Sequence, residues 1–298
     1  MSDPSAEEQE QSLARIEAGG IPLSAERRLS ELREGSGSFT SDLSVADFAL
    51  CRQLGLRPLS QVMGSSIYQM GYQGAWGVGY GGSALIELDT LSEGLNEVRE
   101  RSFARLAEEA RHVGADAVVG VHARTTESEL NPGSLALEHV TVGTAVHRES
   151  AKTSRPILTE LSVADYVKLL QAGIEPCGIV AWSSVFFASY AFSGLLGAGA
   201  MQPMGTMANY ELREFTQAIY GAREAVMQRI TAQAGALGAT GVVGVRIGHT
   251  VRQHTLGGGM AARERSGVMV TFNAIGTAIQ EHGQATVQPP KPVIDLFN

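Results

Sequence analysis

Apolar residues recur at spacings of three and four along two stretches of the chain. In the first, Leu91, Leu95, Val98, Ser102, Leu106, Ala110 and Val113 fall on one line; in the second, Leu212, Phe215, Ile219, Ala222, Val226, Ile230, Ala234 and Leu237 do so. That period predicts two long amphipathic helices, each stopped by a glycine, Gly114 or Gly238. Continuous apolar runs follow, at Ala117 to Val121 and Gly241 to Val245, and read as buried strands. Hairpins at Asn131-Pro132-Gly133 and Gly257-Gly258-Gly259 join them to last strands at Leu135 to His147 and Gly267 to Gln280. A further strand precedes each long helix, roughly Leu59 to Tyr68 and Cys177 to Phe187.

Ahead of those strands stand two short helices with well-marked starts. Ser44 is an N-cap with Asp47 placed as the acid of a capping box, and Leu43 and Phe48 occupy the positions of a hydrophobic staple. Ser162, Asp165, Leu161 and Tyr166 repeat the device. Gly55 and Gly173 can take the left-handed conformation that ends a helix, with Pro58 and Pro176 beyond them.

These parallels come from one unit written twice. Residues 43–66 reappear as 161–184 with eleven of twenty-four positions identical at an offset of 118. Val113 to Val121 returns as Leu237 to Val245 at an offset of 124, and Gly143-Thr144-Ala145 returns as Gly276-Thr277-Ala278 at 133. The offsets grow as lengthened loops would make them grow, so the chain is a tandem duplication. The fold class is α+β, with a small antiparallel sheet and one long helix per unit. The units are repeat 1 over 41–150 and repeat 2 over 157–283, flanked by an acidic arm at 1–40 and a Pro-rich tail at 284–298. A three-stranded sheet with one helix on it leaves strand edges bare, which predicts a homo-oligomer.

Charge narrows the choice of partners. The net charge is -8, and the first forty residues hold eight acids against four arginines. No predicted element gathers Lys and Arg, so nucleic acid is not expected as a partner. Cys51 and Cys177 have no metal or redox spacing and read as buried apolar residues of a reducing compartment. The polar, acidic first residues lack the pattern of a secretory signal, and the expected location is cytoplasmic.

Several residue blocks resemble a known family. Arg99-Glu100, Phe103, Ala110-Arg111, Gly114-Ala115-Asp116-Ala117-Val118-Val119-Gly120 and Gly143-Thr144-Ala145-Val146 are similar to the YbjQ-like family of small bacterial proteins, labelled heavy-metal-binding domains. Ala222-Arg223-Glu224, Leu237-Gly238-Ala239, Val242-Val243-Gly244 and Gly276-Thr277-Ala278 carry the likeness in the second copy. The resemblance covers most of residues 59–148 and 177–281. It implies a sheet-and-helix subunit, of the kind also seen in dodecins, that assembles into a pentameric ring through added strand pairing. Two departures stand out. Residues 58–86 and 176–210 contain no charge where family members carry several, and Asp116 becomes Thr240 in the second copy.

Candidate chemistry is sparse. His122 and His139 could face each other across a hairpin and hold a divalent heavy metal, yet no carboxylate or thiolate joins them at ligand spacing, and neither recurs in the other copy. Gly77-Val78-Gly79-Tyr80-Gly81-Gly82 spells a dinucleotide fingerprint without the strand before it or the helix on its last glycine, and reads as a loop. No nucleophile, base and orienter set is present, so neither an enzyme nor a cofactor is expected. The aromatic and aliphatic residues of the charge-free segments, Tyr68, Tyr72, Trp76, Tyr80, Trp182, Phe186, Phe187, Tyr190, Phe192, Leu195 and Leu196, are the candidates for an oligomer interface. The same segments offer a membrane contact as a less favoured use. The N-terminal arm, or the tail with Val293 to Phe297 behind its prolines, could engage a client. The sequence thus points to a non-enzymatic structural oligomer, with a metal or small-ligand binder and a membrane-associated oligomer as the competing classes.

Overall fold

The computed structural model describes residues 5–70, 85–131, 134–148, 155–189, 211–256 and 265–281. Repeat 1 begins with α3 (Val45–Gln53), followed by β1 (Leu56–Met70), β2 (Leu85–Glu87), α4 (Asp89–His112), β3 (Ala117–Asn131) and β4 (Ser134–Arg148). Repeat 2 runs through β5 (Ile157–Leu158), α5 (Val163–Gln171), β6 (Ile174–Ser189), α6 (Arg213–Ala236), β7 (Gly241–Leu256) and β8 (Arg265–Glu281). The order capped helix, strand, long helix, strand, strand holds in both copies. Ahead of them, α1 (Ala6–Glu17) and α2 (Leu23–Arg33) fold back onto α4.

The short helices begin as their serines dictate, with one difference. The Asp47 amide donates to Ser44 Oγ at 3.1 Å, but the Asp47 carboxylate accepts from the Ser44 hydroxyl at 2.7 Å, where a full capping box would have it accept from the Ser44 amide. Asp is one methylene shorter than the Glu that usually closes the box. Ser162 and Asp165 behave identically, while Ser5 and Glu8 at the start of α1 close the full box.

Two four-stranded sheets result, ordered β1-β4-β3-β5 and β2-β6-β8-β7, antiparallel except where β5 lies parallel to β3. Three strands of each sheet belong to one repeat, as expected; the fourth is lent by the other. β2, from repeat 1, pairs with β6 of repeat 2, and β5, from repeat 2, pairs with β3 of repeat 1. Gly120 and Gly244, with φ of +63° and +65°, place a bulge at the same point of β3 and β7, where the registers jump from Val119 to His122 and from Val243 to Arg246.

The core follows the same plan. α6 buries Phe215, Ala222, Val226 and Ile230 against its own sheet, and Leu106 and Ala110 of α4 pack with Val62, Val118 and Leu29. Two further clusters cross between repeats. Leu91, Leu95 and Val98 of α4 meet Val185 and Phe187 of β6, and Val163 and Tyr166 of α5 meet Val119 and Val146 of the first sheet. The acidic arm is held to the body by Leu29, fully buried, and by Arg28, whose guanidinium lies 2.9 Å from the Glu109 carboxylate.

Candidate assembly interface

The face of α4 that meets β6 carries Ser92, Asn96 and Arg99, spaced four and three residues apart so that they share one side of the helix. They meet the outer edge of β6, whose N–H and C=O groups have no neighbouring strand until β2 begins. Asn96 Nδ2 donates to the Ser183 carbonyl at 2.8 Å, and the Ser183 amide donates back to Asn96 Oδ1 at 2.9 Å. One side-chain amide thereby copies the pairing of a peptide. Gln233 of α6 does the same at Ala181, accepting at 3.0 Å and donating at 3.2 Å. The Val185 amide donates to Ser92 Oγ at 2.9 Å, and the Val185 carbonyl accepts from Leu88 N–H at 2.8 Å, where β2 takes over. A helix side chain, a second helix and a short strand together satisfy an edge that would otherwise be buried unpaired.

Arg99 completes the contact, donating to Asn96 Oδ1 at 2.6 Å and to Ser183 Oγ. No carboxylate forms an ion pair with it among the described residues, and burial pulls its guanidinium down to about 10. It lines a cavity of about 300 Å³ between the two sheets together with His139, Ser183, Thr250, Thr271 and Asn273. His139 stands edge-on to Phe103 at 5.7 Å between ring centres. Burial, with the neighbouring Arg99 charge, pushes the imidazole down to about 3, and its Nδ1 has no hydrogen-bond partner among the described residues.

These positions settle how the two histidines relate. His122 pairs in register with Val142 and His139 with Thr125, so they are three positions apart and project from opposite faces of the sheet. The hairpin does not bring them together. His122 is exposed, with Nε2 2.8 Å from Asp42, while His139 is buried beside a cation. Among the described residues, no three His, Cys, Asp or Glu side chains gather as a metal site, and His122 and His139 are not placed to share one ion. Burial raises the thiol of Cys51 to about 11 and that of Cys177 in the same direction, which keeps both protonated and poorly nucleophilic.

Of the apolar interface candidates, Phe187 is fully buried between the repeats. Phe186 packs toward α6, Trp182 lies under the Arg229 guanidinium at 5.0 Å, and Tyr68 lies under that of Arg101 at 5.9 Å. Tyr72, Trp76, Tyr80, Tyr190, Phe192, Leu195 and Leu196 lie outside the described residues, as do the Gly77 to Gly82 motif and the tail. No helix among the described residues is long and apolar enough to cross a membrane. Ser92, Asn96 and Arg99 were not legible as interface residues. The one trace in the sequence is that each directly follows a residue of the apolar line, at Leu91, Leu95 and Val98, so that a polar row runs beside the buried one.

Comparison with known proteins agrees with this architecture. The family described as "Putative heavy-metal-binding" (YbjQ) matches residues 79–149 and again 173–281. An encapsulin nanocompartment protein of Mycobacterium tuberculosis is 36% identical over 252 residues, spanning 79% of this chain and 89% of the relative. No solved structure matches the chain significantly.

Proposed function

Since the chain belongs to the YbjQ family and carries two tandem copies of its domain, we propose that it is a non-enzymatic structural protein built to assemble with itself. The relative's name speaks of a protein nanocompartment, and kinship supports a scaffold role in or beside such a compartment. The observation that carries the reading is strand lending. Among the described residues, each sheet reaches four strands by taking one from the other repeat, while the far edges, β1 in one sheet and β7 in the other, receive no strand. Edges this long with no strand along them call for a further partner. The proposed assembly is a closed ring of five chains, with residues 41–150 and 157–283 as alternating building units, and with the exposed face of the docked arm, or the tail, available to a client.

Multi-angle light scattering on the purified full chain tests this directly. The expected result is one discrete species at five times the chain mass; a single-chain mass would overturn the reading, and a different discrete multiple would correct only the ring size.

A further inference from the structure

We infer that residues 39–48 of one copy of this chain dock on β7 of another, repeating between chains the contact that residues 157–166 make with β3 inside one chain. The inference rests on the assembly reading above and assigns the surface it uses.

The internal contact supplies the template. At the β3 bulge, the Gly120 amide donates to the Leu161 carbonyl at 2.9 Å and the Val121 amide to the Thr159 carbonyl at 3.0 Å, while the Thr159 amide donates to the Val118 carbonyl at 2.9 Å. Val163, one helix turn further, is 1% exposed against the first sheet, and Val121 is 0% exposed.

Each component has a counterpart that lacks this backbone pairing among the described residues, although the side chains of Leu161 and Glu160 already reach Gly244 and Arg246 of β7. At the offset of 118, Val163 corresponds to Val45, which is 88% exposed; at the offset of 124, Val121 corresponds to Val245, which is 36% exposed. The two segments share one local conformation. Leu161 N–H donates to Thr159 Oγ1 at 3.2 Å, and Leu43 N–H to Ser41 Oγ at 3.0 Å. Each also rests on its own sheet in the same way, with Thr159 Oγ1 2.9 Å from Thr277 Oγ1 and Ser41 Oγ 3.0 Å from Thr144 Oγ1. The receiving sites agree as well, since β7 has the same glycine bulge, and Gly244 and Val245 stand outside the β7–β8 register.

The other half of the interface tells the same story independently. Val185 of β6, covered by α4, is 0% exposed, whereas its counterpart Ile67 on β1 is 72% exposed. Asn96 on α4 is buried, whereas Tyr220 at its place on α6 is exposed. One contact therefore joins the two outer faces, with residues 39–48 of one copy on β7 of the next, and α6 of that next copy lying across β1 of the first. Such a head-to-tail contact uses two different surfaces and propagates until it closes.

Two variants test the assignment; Val45 and Thr40 are exposed, and Val242 is partly buried at the edge of the second sheet. Val45→Asp puts an acid in the first turn of α3, where the helix tolerates it, and buries a charge only if the proposed contact forms. It is expected to leave the circular dichroism and melting profile of the chain unchanged while the assembly falls to smaller species. In the template Val118 stands opposite Leu158, so Val242 should stand opposite Thr40 of the neighbour. Thr40→Cys combined with Val242→Cys, in a Cys177→Ser background, is expected to give a ladder of covalent multimers with a short bis-maleimide, and Thr40→Cys alone none beyond a dimer. Wild-type assembly mass in Val45→Asp, or no ladder in the double variant, would overturn the inference while leaving the assembly reading intact. A wild-type chain that is monomeric would remove both.

Discussion

Asn96 stands in for a strand at the edge of β6, and that choice has a measurable cost when removed. Asn96→Leu leaves the Ser183 N–H and C=O buried without partners and takes one acceptor from Arg99, so the chain is expected to lose about 1–3 kcal/mol, read as a lower urea midpoint. Gln233 makes the same clamp at Ala181 from a partly exposed site, and its truncation should cost less. His139 predicts a pH effect. In the unfolded chain its imidazole titrates near 6.5, whereas in the folded chain it stays neutral to about 3. Between those values the unfolded chain holds more protons, so this group's contribution is complete above pH 6.5 and is lost as the pH falls toward 3. His139→Phe copies the residue type of its counterpart Phe272. Relative to wild type, it should gain about 1 kcal/mol for each pH unit below 6, seen as a melting difference that grows in acid.

The short helices show how far local chemistry reaches. Ser44 and Ser162 cap α3 and α5 as their spacing from Asp47 and Asp165 predicts, and Ser162→Ala is expected to lower stability by about 1 kcal/mol in urea unfolding. The long helices lie within two residues of where periodicity puts them, because one face of each is buried along its whole length. β2 and β5 escaped notice for a physical reason. Strands of three and two residues are too short to show alternation, and what makes them strands is a partner in the other repeat. Gly64 points the same way. A Cβ there would collide with the Ser102 carbonyl of α4, so Gly64→Ala should lift the helix off β1 and lower the melting temperature, whereas at the matching place β6 carries Trp182. One repeat seats its helix against bare backbone and the other against an indole, a difference plain in the sequence whose meaning needs the helix in place.

The arm and the two repeats act as one folded body. Arg105 donates to the carbonyls of Ile16 at 3.0 Å, Gly20 at 3.1 Å and Ser65 at 2.5 Å, and Glu109 accepts from Arg28 and from the Met63 amide. Deleting residues 1–36 would take Ile16 and Gly20 from Arg105 and Arg28 from Glu109 and uncover the seat of Leu29, with an expected loss of about 3 kcal/mol or more by calorimetry. The amino-acid sequence already declares the duplication and the capped and amphipathic helices, since each depends on neighbours a few positions away or on a comparison of the chain with itself. Which repeat lends a strand to which sheet, and why Asn96, Arg99 and Ser183 are buried together, came from folding alone. The side-chain contacts at Ser183 and Val185 join groups 84 to 93 residues apart, and a polar side chain looks the same in a sequence whether water or a strand edge receives its hydrogen bonds.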